Sequence, residues 1–194
     1  MPKKRPAPRL DVPAEESLDP AQRALRDAIA SGPRGIFKLT GPFAIWLHAP
    51  EFGQLAQAVG AHCRYKTSLT PRQSEFAILA TARVWRAQYE WQAHAPMAAK
   101  AGVPEKTIAD LRAGRYPKSA KSDERAIYDL IAELYRKRRV SDRTYGRVLK
   151  ALGTKGTVEL TGILGYYALI SMTLNVFRAQ TDPDKPAPFT EPQV

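Results

Sequence analysis

The sequence predicts an all-α protein folded as a compact helical bundle, and three observations carry that prediction. Apolar residues recur at the helical period, most clearly at Ala126, Ile127, Leu130, Ile131 and Leu134. Two helix starts are written in the same way: Asp19, Pro20 and Gln22, then Thr70, Pro71 and Gln73, supply an N-cap oxygen, a proline in the first turn and a capping-box amide. Strand-like alternation joined by hairpin turns occurs nowhere, and there is no repeat at a solenoid period.

The first helix should carry Leu25, Ala28 and Ile29 inward and stop at Gly32-Pro33. The stretch GIFKLTGPFAIWLHAPEF is punctuated by Gly35, Gly41, Pro42 and Pro50, so it can hold only short helical turns before a proper helix begins near Pro50. On that helix Cys63 falls in an apolar stripe with Phe52, Leu55, Ala56 and Val59, which reads as a buried face. A long helix then follows Thr70 through Phe76, Ile78, Leu79, Val84 and Trp85, and a second helical segment runs from Ala87 to Ala101, ending at Gly102. Nothing between Arg83 and Gln88 is a strong breaker, so one bent helix and two separate ones both fit; Pro96 removes a single hydrogen bond, to the carbonyl of Gln92.

Val103-Pro104 opens a short helix that ends by Gly114, and Ser122 is placed to cap the next. A shorter helix starts at Ser141, with Val140 and Tyr145 set as a hydrophobic staple. The last, from about Thr154 to Arg178, is apolar almost all round and must be buried or membrane-spanning. Glu159, Thr161, Thr173 and Asn175 are poor lipid-facing residues, so burial in a core or subunit interface is the expectation.

With 194 residues, 44% hydrophobic and 25% charged, the chain can fill one core. The expected division is a disordered basic, Pro-rich tail over residues 1–18, one helical domain over 19–178, and a Pro-rich tail or arm over 179–194. The start lacks the apolar run of a secretory signal, which places the protein in the cytoplasm. The net charge of +11 suggests nucleic acid, but Lys3, Lys4, Arg5 and Arg9 lie in the tail and Arg136 to Arg139 close a helix, where cations complement the dipole. A solvated basic surface with no nucleic-acid or membrane partner is the reading that results.

Chemistry concentrates in the segment RVWRAQYEWQAHAPMAAKAG. Glu90 and His94 are four apart, which stacks a carboxylate and an imidazole on one helical face and makes a general acid/base pair. The same spacing also describes an ordinary surface pair. Tyr89, Trp91 and Met97 around it, and the apolar helix carrying Glu75, Arg83 and Arg86 that leads into it, favour a working site. No two histidines have metal-ligand spacing, and phosphate loops, dinucleotide fingerprints and serine-nucleophile elbows are absent. A single cysteine excludes an intramolecular disulfide and a Cys-x-x-Cys pair. His48 and His62 have no chemical neighbours in sequence and read as structural or surface residues.

The blocks HAPEF, LTPRQSEFAILATARVWRAQYEWQAHAPMAAKAGVP, DERAIYDLIAELYRKRRVSDRTYGRVLKALG and ILGYYALISMTLNVF resemble, in that order, the carboxymuconolactone decarboxylase family. The resemblance covers roughly residues 41–177 and implies an alkyl hydroperoxidase D-like helical fold that self-associates as a trimer or hexamer. It implies two chemistries: decarboxylation of a carboxylated lactone, or thiol-based peroxide reduction. The positions of the peroxidase cysteines are Ala87 and Glu90 here, with the histidine at His94 and the upstream glutamate at Glu75. Peroxide reduction needs a thiolate and a resolving partner, so the resemblance points to the other branch. That branch implies a lyase without a cofactor, acting on a small-molecule carboxylate. His94 would be the proton donor, oriented by Glu90 and Glu75, with Arg83, Arg86, Tyr89 and Trp91 binding substrate. The alternatives are a hydroperoxidase working through Cys63 and a non-enzymatic oligomer that binds a small acid.

Overall fold

In the computed structural model, which describes residues 6–190, the chain forms eight α-helices and a single 3-10 turn, Glu15–Ser17, with no strand among the described residues. Both capping boxes form as written in the sequence. Asp19 accepts from the backbone of Gln22 at 2.8 Å and starts α1 (Pro20–Ser31), while Thr70 accepts from Gln73 at 3.3 Å and starts α4 (Pro71–Trp85). Between them lie α2 (Gly41–Trp46), one short piece packed down through Ala44 and Trp46, and α3 (Pro50–Tyr65).

Helix α4 is the axis of the bundle. Nine consecutive residues, Ser74 to Ala82, are buried, because α5 (Gln88–Lys100), α6 (Glu105–Ala113), α7 (Ser122–Lys137) and α8 (Asp142–Val176) all pack against it. The open question at residues 83–88 resolves as two helices. Arg86 takes the left-handed conformation, φ 49° and ψ 36°, and the backbone N–H of Ala87 then reaches back to the carbonyl of Ala82 at 3.0 Å. A non-glycine residue at positive φ is held there by its surroundings, so propensity at Arg86 could not announce the break.

Two expectations are corrected. On α3 the buried face is Gly53, Ala56, Gly60 and Cys63, whereas Phe52, Leu55 and Val59 are 47%, 72% and 54% exposed. The glycines make the inward face because α3 sits so close to its neighbours: a Cβ at Gly60 would lie 2.0 Å from the Tyr166 hydroxyl. The cap of α7 is Lys121 rather than Ser122, and its N–H donates to Glu124 at 2.8 Å. The two helices expected after Ser141 both form, joined end to end within α8 across a kink where Gly153 takes a non-helical conformation (φ 68°, ψ 178°).

The Gly60 contact carries a stability prediction. Gly60→Ala forces Tyr166 to move, an overpacking penalty of about 1–3 kcal/mol that on balance outweighs the ~1 kcal/mol alanine gains in a helix. A lower urea midpoint is expected, and a rise would show that Tyr166 moves freely.

Helix α8 is long and apolar enough to cross a membrane by length and composition, at a mean hydropathy of 1.2, yet 56% of that window is already buried inside this bundle. Its exposed remainder includes Val158, Met172 and Val176.

Of the first eighteen residues, 1–5 lie outside the described region. Residues 6–18 are less free than composition suggests: Arg9 donates to the carbonyls of Phe177 and Val176, and Leu18 is buried. The C-terminal segment, where described, lies on its own chain. Gln88 and Phe189 exchange hydrogen bonds at 2.6 and 2.9 Å, the Gln92 side chain donates to the Pro186 carbonyl and accepts from the Asp182 N–H, and the Phe189 ring is buried against Trp91.

Candidate active site

The elbow at Arg86 folds α5 back along α4, and this brings Glu75 to the pair that the sequence set on one face of α5. His94 Nδ1 lies 2.7 Å from Glu75 Oε2, and His94 Nε2 lies 3.0 Å from Glu90 Oε1. All three side chains are buried. Burial opposes the positive charge on His94, but the adjacent Glu90 and the Glu75 hydrogen bond more than offset it, and the imidazole is raised from 6.5 to about 9.

Two further elements close the site. Tyr167 of α8 stands edge-on to the imidazole, with ring centroids 5.3 Å apart, and Tyr166 packs edge-on to Tyr167. Burial pushes both phenols up, so neither is an acid at neutral pH. From α3, the Arg64 guanidinium reaches to 3.4 Å from His94 Nε2 and also contacts the sulfur of Met97. Glu90 Oε1 is close to Nε2 but has no well-directed hydrogen bond.

The four residues expected to bind substrate have other neighbours. Arg83 lies over the Phe189 ring at 5.6 Å, Arg86 donates to the Thr190 carbonyl, Tyr89 to the Thr40 hydroxyl, and Trp91 packs on Phe189 at 5.2 Å. Three of them therefore meet the C-terminal segment, and none has His94 or its carboxylates as a hydrogen-bond or ring partner. Arg64 and Tyr167 escaped the sequence reading. Arg64 is eleven residues before Glu75 on a different helix, and Tyr167 sits in an apolar run that reads as core.

Two open hollows, of about 260 Å³ beside Ser68 and Gly156 and about 320 Å³ between α3 and α8, are lined by neither Glu75, Glu90 nor His94. Among the described residues no group of three or more His, Cys, Asp or Glu is arranged to hold a metal ion.

An all-helical bundle with this element order has the alkyl hydroperoxidase D-like fold. A solved structure described as an alkylhydroperoxidase AhpD core, an uncharacterised peroxidase-related protein from Ralstonia eutropha JMP134, superposes with a TM-score of 0.75 over 93% of this chain and 95% of that one, at 17% identity. At that identity the likeness speaks for the fold alone. The carboxymuconolactone decarboxylase family profile matches residues 50–133, the region that holds Arg64, Glu75, Glu90 and His94. No curated protein matches the chain.

Proposed function

We propose that the protein is a cofactor-free acid–base enzyme of the carboxy-lyase type, acting in the cytoplasm on a carboxylated lactone or related small acid. The observation that carries this reading is a buried imidazole held between two carboxylates, at a place where Ala87 and Glu90 stand in the peroxidase cysteine positions. In a decarboxylation the substrate's own carbonyl takes the electron pair released with carbon dioxide, and the protein has only to deliver a proton to carbon. A charged His94 can do that, with Glu75 and Glu90 keeping the proton available. Substrate binding by Arg83, Arg86 and Trp91 would require the C-terminal segment to lift away from them, and binding by Tyr89 would require it to leave the Thr40 hydroxyl.

Assembly as a trimer or hexamer belongs to the same proposal. The exposed Phe52, Leu55 and Val59, along the hollow between α3 and α8, offer an apolar face. Leu55→Glu is expected to reduce the assembly to smaller species in light scattering after gel filtration; an unchanged mass would remove this face from consideration.

The test of the activity is carbon dioxide release from a carboxylated lactone by the parent and by His94→Gln and Glu90→Gln. Loss in both supports the assignment, and unchanged release in both sinks it. A peroxidase would have to work through Cys63, which is buried with its thiol pushed up by that burial, the opposite of a reactive thiolate. One observation favours a non-enzymatic small-acid binder instead: the cluster is tightly packed, and neither hollow opens on it.

A further inference from the structure

The guanidinium of Arg64 has an unusual set of neighbours. Its two terminal nitrogens face a ring nitrogen of His94 and the thioether of Met97, and its plane lies over the Tyr65 ring at 5.5 Å. Among the described residues it forms no hydrogen bond to a carboxylate, although it is partly buried beside Glu75 and Glu90. A guanidinium is a rigid fork suited to two parallel bonds to a carboxylate, and a thioether is a weak acceptor.

Around His94, Glu75 approaches from α4, Glu90 from its own α5, Arg64 from α3 and Tyr167 from α8, with Tyr166 behind it. With both carboxylates adjacent the imidazole is held as a cation up to about 9. A protonated Nε2 cannot accept from Arg64, so two cations face each other at 3.4 Å. Glu90 Oε1, 3.0 Å from the same ring nitrogen, makes no well-directed hydrogen bond, so neither the Arg64 fork nor Nε2–H has a directed carboxylate acceptor. Met97, beside the guanidinium, is 36% exposed, so the cluster borders solvent on this side.

We propose that Arg64 and His94 form a carboxylate-binding pair, in which one oxygen of a small organic acid accepts from the Arg64 fork and the other from Nε2–H of His94. This assigns the substrate carboxylate to Arg64 rather than to Arg83 or Arg86. It deepens the acid–base reading and rests on it for the chemistry of the acid, but it concerns binding and needs no turnover.

The experiment titrates succinate into the full chain at neutral pH and follows the ¹⁵N-labelled imidazole of His94, assigned by its loss in His94→Gln. A saturable shift of the His94 signals is expected. Arg64→Gln should weaken succinate at least tenfold, while Arg112→Gln, an equal loss of charge at an exposed site, should leave affinity unchanged. Should Arg64→Gln fail to fold, Arg64→Lys decides, because lysine keeps the charge and loses the fork; at least a threefold weakening is expected. The proposal is overturned if His94 does not respond to succinate, if the Arg64 variant that folds binds like the parent, or if Arg64→Gln and Arg112→Gln weaken binding alike. Binding without turnover would refute the lyase and leave the carboxylate site standing.

Discussion

His94→Gln is expected to lower turnover by about 10²- to 10⁴-fold, the usual range for loss of a positioned acid–base group, and to flatten the dependence of stability on pH. The second effect follows from the raised imidazole. With a native value of about 9 against 6.5 for the free side chain, the native state binds the proton more tightly than the unfolded chain. The stabilisation is therefore fully present below about 6.5, falls away as pH rises, and is gone above about 9. The difference corresponds to roughly 3 kcal/mol. Urea midpoints of the parent should drop between about pH 6 and about pH 9.5, and the drop should be smaller in His94→Gln, where the other titrating groups remain. Equal drops in the two proteins would mean that His94 does not carry the extra proton in the native state.

That prediction draws on residues of unequal legibility. Glu90 and His94 were readable because helical geometry fixes what residues four apart can do, and Glu75 because the family pattern marks its position. Their meeting was not readable, since it depends on the elbow at Arg86, where a residue with no glycine-like freedom adopts positive φ under tertiary constraint. The capping boxes at Asp19 and Thr70 were legible for the opposite reason, being local chemistry complete within four residues. On α3 the apolar stripe misled: hydrophobicity marked Phe52, Leu55 and Val59 as core, whereas close packing selected the glycine face. A pattern of apolar residues says which side chains avoid water, and it does not distinguish a core from a face left open on a single chain. Arg64 and Tyr167 were invisible because nothing along the sequence ties α3 or α8 to His94.

Glu124→Ala is expected to destabilise the fold by about 3–5 kcal/mol, the range for removing one partner of a buried ion pair, and for a chain of this size to lower Tm by about 10 °C. Glu124 has no exposed side-chain surface and Arg72 only 19%, and Arg72 holds both Glu124 oxygens while a third nitrogen bonds the Gly102 carbonyl. One side chain thus ties α4 to the start of α7 and to the turn after α5. Removing the carboxylate strands the guanidinium and deprives the Lys121 N–H of its acceptor at the α7 N-terminus. An exposed pair would be worth at most about 1 kcal/mol, so thermal denaturation separates the two cases. The double variant Arg72→Met with Glu124→Leu isolates the cause. If the penalty is the unpaired buried charge, replacing both partners by apolar groups should recover most of the loss; if it is the geometry of the three-way tie, the double variant should be no better than the single one.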